Sequence, residues 1–171
     1  DKFPKLNRFL TGYDLRHVFN DDLTQFDLTR VLTGSEGTLA FITEARLDIT
    51  RLPKVRRLVN VKYDSFDSAL RNAPFMVEAK ALSVETVDSK VLNLAREDIV
   101  WHSVSDLITD VPDKEMLGLN IVEFAGDDAA LIERQVTTLC QRLDERIAQG
   151  EGGVIGWQLC NDLAGIERIY A

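Results

Sequence analysis

One stretch restricts the possible architectures more than any other. Ile132, Val136, Leu139, Cys140, Leu143 and Ile147 recur at steps of four, three, one, three and four, a single apolar stripe on a helix, while Glu133, Arg134, Arg142, Glu145 and Arg146 take other faces. Asp127 or Asp128 stands where an N-cap is wanted, and Gly150 where a left-handed residue closes the far end. Such a helix must lay its apolar face on another layer. The flanking segments supply one, since residues 117–124 and 154–159 both read as strands.

The same order occurs earlier. Residues 58–63 alternate, with Val59, Val61 and Tyr63 on one face; Asp64 or Ser65 then caps a helix carrying Phe66, Ala69, Leu70 and Ala73, which Pro74 ends or kinks. Residues 82–87 read as a second strand, followed by a weaker helical stretch through Val91, Leu94 and Ala95 and a polar insertion over 103–115. Strand, helix, strand, repeated once, is the split βαβ pattern. We therefore expect an α+β fold, a ferredoxin-like antiparallel sheet with helices on one face.

Upstream, residues 41–49 alternate regularly and predict a long strand, with Phe41, Thr43, Ala45, Leu47 and Ile49 on one side. Asp27 is placed to cap a short turn of helix through Leu28 and Val31, and Gly34 and Gly37 bracket a tight turn. Residues 53–57 carry three basic side chains and form the candidate linker, which puts one unit at 1–52 and another at 53–171. The apolar stripe of Leu163, Ile166, Ile169 and Tyr170 stops at Ala171, and no Met begins the chain. The expectation is an internal piece of a longer protein.

Charge narrows the function. With 28 acidic against 20 basic side chains the net charge is −8, which repels nucleic-acid phosphates and anionic lipid. No apolar run approaches a bilayer span, so no integral membrane segment is expected. Cys140 and Cys160 are the only cysteines and both fall at apolar positions, so they read as small buried hydrophobes in a reduced, cytoplasmic setting. His17 and His102 have no further histidine to join them, and no metal site is expected.

Chemistry concentrates in residues 33–39, Thr33-Gly34-Ser35-Glu36-Gly37-Thr38-Leu39, two glycines and several hydroxyls with backbone amides exposed. Such a turn can accept a pyrophosphate because glycine lets the backbone approach closely. Two glycines at this spacing are, by themselves, more often plain turn formers. The longer string GSEGTLAFITEARL, however, resembles the GSEGTLGxITEAxL signature of FAD-linked oxidases of the vanillyl-alcohol oxidase type. The TGYDL at residues 11–15 resembles the motif that precedes it in the D-lactate, glycolate and D-2-hydroxyglutarate dehydrogenase branch, and two motifs in order are far more specific than one. Ser83-Val84-Glu85-Thr86-Val87-Asp88 and Val122-Glu123-Phe124-Ala125-Gly126-Asp127 resemble strands of that family's substrate-side domain. The insertion and Asn7-Arg8-Phe9-Leu10 look most like large bacterial members that carry iron–sulfur clusters elsewhere in the chain and oxidise D-2-hydroxyglutarate. Ala40 departs from the family's usual glycine and removes any tolerance there for positive φ.

The resemblance implies that residues 1–52 are the C-terminal edge of a flavin-binding domain and 53–171 the substrate-side domain. It implies FAD contacts from Gly34, Ser35, Glu36, Gly37, Thr38 and Ile42, and a 2-hydroxy acid substrate met by Arg8, Thr11 and Tyr13. Arg suits a carboxylate because its planar fork binds both oxygens; Tyr13 serves equally as a packed core residue. Catalytic residues are expected outside the chain. On fold alone, a stand-alone ferredoxin-like module that binds a small regulatory molecule is the alternative, and residues 1–50, which such a module does not need, argue against it.

Overall fold

A computed structural model describes residues 12–171, which divide into two compact units, one ending at Thr50 and the other spanning Arg51–Ala171. In the second unit four strands, β1 (Val55–Tyr63), β2 (Ser83–Asp88), β3 (Gly118–Gly126) and β4 (Val154–Cys160), form one sheet in the order β2-β3-β1-β4 with every neighbouring pair antiparallel. That order, with β3 between β1 and β2 and β1 between β3 and β4, is the split βαβ arrangement the element order predicts. Val55, Arg56 and Arg57, which read as linker, already belong to β1, paired with Gly126, Ala125 and Phe124.

Four of the helices start on a side-chain cap. Ser65 accepts from the Ser68 amide before α2 (Phe66–Glu78), Asp88 from Val91 before α3 (Ser89–Glu97), Asp128 from Leu131 before α5 (Ala129–Gln149) and Asp162 from Gly165 before α6 (Leu163–Tyr170). Gly150 closes α5 at φ +68°, the left-handed position expected of it. Pro74 does not end α2, which runs four residues farther with Phe75 and Met76 buried. The weaker helix turns differently from the expected stripe: Leu92 is its buried side chain, while Val91 and Leu94 are exposed along an apolar groove shared with Trp101 of the short α4 (Trp101–Val104).

The odd-numbered residues of β1 (Val59, Val61 and Tyr63) join Val122 and Phe124 of β3 beneath α2 and α5, where Ile132, Val136, Leu139, Cys140 and Leu143 are all buried. This is the expected helix layer. The other face is covered as well. Leu92, Ile108, Met116, Leu119 and Ile155 form one cluster there, and Leu58, Cys160 and Ile166 another, so the insertion, α3 and α6 make a second layer. The stripe on α6 thus finds partners, with Ile166 fully buried and Ile169 packed beside it.

In the first unit, α1 (Thr29–Thr33) follows an isolated antiparallel bridge between Phe19 and Phe26. Asp27 accepts from the Thr29 amide and hydroxyl, though Leu28 holds the formal cap position. Residues 40–50 form no strand; Phe41, Ile42, Leu47 and Ile49 are all exposed. A strand needs a ladder partner, and among the described residues none pairs with this segment.

Candidate functional site

The two motifs that stand apart in sequence meet in space. A Cβ built on Gly34 would lie 1.9 Å from the carbonyl oxygen of Gly12 and 3.4 Å from the Cα of Tyr13, so the backbone of the first motif rests directly on the second. Only glycine fits there. Gly34 itself has an ordinary φ of −95° and ends α1, its amide donating to Leu32 O. Its requirement is for space. Gly37 differs: its φ is +77°, and nothing lies within 4 Å of the position its Cβ would take. Its requirement is conformational, and the space beside it is open.

Between them Ser35–Thr38 closes a turn in which the Thr38 amide donates to Ser35 O at 2.9 Å, with Glu36 (φ +49°) and Gly37 both left-handed. The hydroxyls serve the turn. Buried Ser35 donates its Oγ hydrogen to Leu32 O at 2.8 Å, and Thr38 Oγ1 donates to Ser35 O at 2.6 Å. The Tyr13 hydroxyl lies 2.9 Å from Thr38 Oγ1, a second tie between the motifs. Among the described residues the amides of Glu36 and Gly37 have no acceptor, and both residues are exposed. Two unengaged amides beside an open glycine fit a phosphate or ring edge of a dinucleotide. Ile42 is 66% exposed and touches none of the three core clusters. Arg8 and Thr11 lie outside the described residues.

Sequence reasoning missed Asp14. Its carboxylate is buried and accepts from the His17 backbone amide at 3.3 Å, with His17 Nδ1 2.9 Å away. The motif contained it, but the local sequence has no mark of which polar residue turns inward. Also unforeseen are two polar clusters on the α6 side of the sheet. Glu123, buried on β3, takes Arg56 Nε at 2.7 Å and the Tyr170 hydroxyl at 3.0 Å. The bond to Glu123 raises the Arg56 pKa, and burial, helped by the same carboxylate, pushes Tyr170 up to about 12. Lys62 is buried on β1, donating to Thr109 Oγ1 at 3.1 Å and Gln158 Oε1 at 3.3 Å; loss of solvent lowers its pKa. These groups clamp α6 and the insertion onto the sheet. Among the described residues no three His, Cys, Asp or Glu side chains converge on a metal position, and no helix is long and apolar enough to cross a membrane.

The chain is 86% identical over all 171 residues to a D-2-hydroxyglutarate dehydrogenase of Escherichia coli (strain K12), and 45% identical over 168 residues, 98% of the chain, to one of Pseudomonas putida. It is 32% identical over 73 residues, 42% of the chain, to the glycolate oxidase subunit GlcD of Bacillus subtilis. It spans 16–17% of the length of these relatives. The model of FAD linked oxidases, C-terminal domain, matches residues 52–171. That match takes in the whole four-stranded sheet and its helices, and the chain belongs to the family of FAD linked oxidases.

Proposed function

We propose that this chain is part of a flavoprotein oxidoreductase that oxidises a D-2-hydroxy acid, of the 2-hydroxyglutarate, lactate or glycolate class, by hydride transfer to FAD. Residues 1–52 complete the flavin-binding domain and residues 53–171 form the substrate-side domain. The observation that carries this reading is the seating of Gly34 on the Gly12 carbonyl, which makes two motifs of the dehydrogenase branch into one structural unit. When bound, the flavin supplies the hydride acceptor, and the protein supplies orientation and charge. Gly37 leaves room for it, the Glu36 and Gly37 amides are placed to donate to it, and Ile42 offers an apolar contact. Ser35 and Thr38 hold the turn from inside. Arg8 and Thr11 meet the substrate carboxylate, with Tyr13 beside them. The substrate is a small molecule rather than a nucleic acid, the setting is cytoplasmic, and iron–sulfur clusters elsewhere in the parent chain carry the electrons onward.

The test is made on the full-length protein. It is expected to purify with FAD, and anaerobic D-2-hydroxyglutarate is expected to bleach the flavin absorbance where the L enantiomer does not. A preparation without flavin, or one bleached by none of D-2-hydroxyglutarate, D-lactate and glycolate, would overturn the assignment.

A further inference from the structure

The sheet face that carries the insertion is not fully closed. An apolar groove of about 450 Å³ opens there, lined by Val87 of β2 and Ile121 of β3 and, from α3 and the start of α4, by Val91, Leu94, Val100 and Trp101. Val91, Leu94 and Val100 are each more than half exposed, and Ile99 beside Val100 is 83% exposed. A contiguous patch of this kind marks an interaction surface. It also accounts for the composition of α3, which turns Leu92 onto its own sheet and still carries Val91 and Leu94 on a second apolar side. A helix that is apolar on two sides is suited to being covered on both.

The charged groups at the groove are already engaged. Asp98 accepts from the Val100 amide at 2.9 Å, and Arg168 donates to Ser103 O at 2.9 Å and to the Asp106 carboxylate at 3.0 Å. Arg96 pairs with Asp110 and lies over the Trp101 ring, 5.5 Å from its centroid. A small charged metabolite would find no free ionic partner to orient it, which a ligand pocket has to supply. The groove fits apolar side chains. A second copy could bring them only by adding another net charge of −8 to the first. The chain, however, spans 16–17% of the length of its relatives, and a segment of the same polypeptide docks at an effective concentration well above that of a free partner.

We propose that the groove between α3, α4 and α6 receives an apolar segment of the parent polypeptide from outside these 171 residues, joining the substrate-side domain to the rest of the protein. The inference rests on the reading of the chain as part of a longer flavoprotein. Val91, Leu94 and Val100 then belong to a buried interface in the parent and to the surface only in the shorter chain.

The experiment compares the 171-residue chain with the full-length protein by carbene footprinting, read peptide by peptide. Val91, Leu94, Val100 and Trp101 are expected to label in the shorter chain and, in the full-length protein, to fall to the level of buried Leu139. The photocrosslinker benzoylphenylalanine in place of Leu94 then identifies the occupant: the expected product in the full-length protein has the mass of one chain and joins position 94 to a peptide outside these residues. Leu94→Asp should restore labelling of Val91 and Trp101 in the full-length protein and leave the urea midpoint of the shorter chain unchanged. Equal labelling in the two proteins, a crosslink at the mass of two chains, or one confined to these 171 residues would overturn the proposal. The functional reading is judged separately, by flavin content and bleaching. A flavin-loaded, active protein with an open groove defeats only the docking, whereas a covered groove in a protein without flavin defeats only the chemistry.

Discussion

Gly34 and Gly37 are spelled alike and needed for different reasons. Gly34 yields its place to the Gly12 carbonyl, whereas Gly37 takes a φ of +77° with open space where a side chain would stand. The second case separates a turn requirement from a cofactor requirement. Asn tolerates left-handed φ better than other non-glycine residues, so the backbone should accept Gly37→Asn. The added side chain would enter the space we assign to flavin. In the full-length protein the expected outcome is an apo form with unchanged thermal midpoint and a large loss of bound FAD. Full flavin occupancy and turnover in Gly37→Asn would remove the cofactor contact from this turn. Both glycines were legible as turn formers, whereas Ser35 and Thr38 read as cofactor contacts and their hydroxyls bond within the turn. That Gly34 packs on Gly12, and that Thr38 meets Tyr13, depends on residues more than twenty positions away, which no local pattern encodes.

At the scale of elements, the long amphipathic helix was read nearly to its ends because its signals are all local: period, cap and closing glycine. Leu139 sits at its centre and is fully buried against the sheet. Leu139→Ala should cost about 2–5 kcal/mol, measured by urea unfolding of the chain, through lost burial and the cavity left behind. A change within experimental noise would take the helix out of the core. Three element readings came out differently, and each has a physical cause. Pro74 removes one amide donor from α2, but Phe75 and Met76 beyond it are buried, and that burial holds the last turn in place. Residues 41–49 have the alternation of a strand without its ladder, because pairing belongs to two segments and periodicity to one. The face of α3 was misread for a similar reason: Val91 and Leu94 are apolar, yet the sheet surface that α3 meets is reached by Leu92.

For the molecule as a whole, the chain spans about a sixth of its relatives' length, and the turn we assign to FAD offers two amides and one open glycine. So few contacts cannot offset the loss of freedom of a large cofactor. The 171-residue chain is therefore expected to be colourless when purified and to stay so after incubation with FAD and desalting. A yellow product with one FAD per chain would show that the binding energy is divided differently along the parent protein. The order of the four strands, the caps of α2 and α5, the antiparallel α+β class and the family were legible in the sequence, because propensity, periodicity and motif spacing act over a few residues and survive being read one segment at a time. Only the tertiary structure decided that the sheet is covered on both faces, that Arg56 and Tyr170 both bond the buried Glu123, and that the two motifs form a single unit. Those facts are matters of which distant groups touch. They follow from burial and close packing, which act between segments and leave no mark in the order of residues along either one.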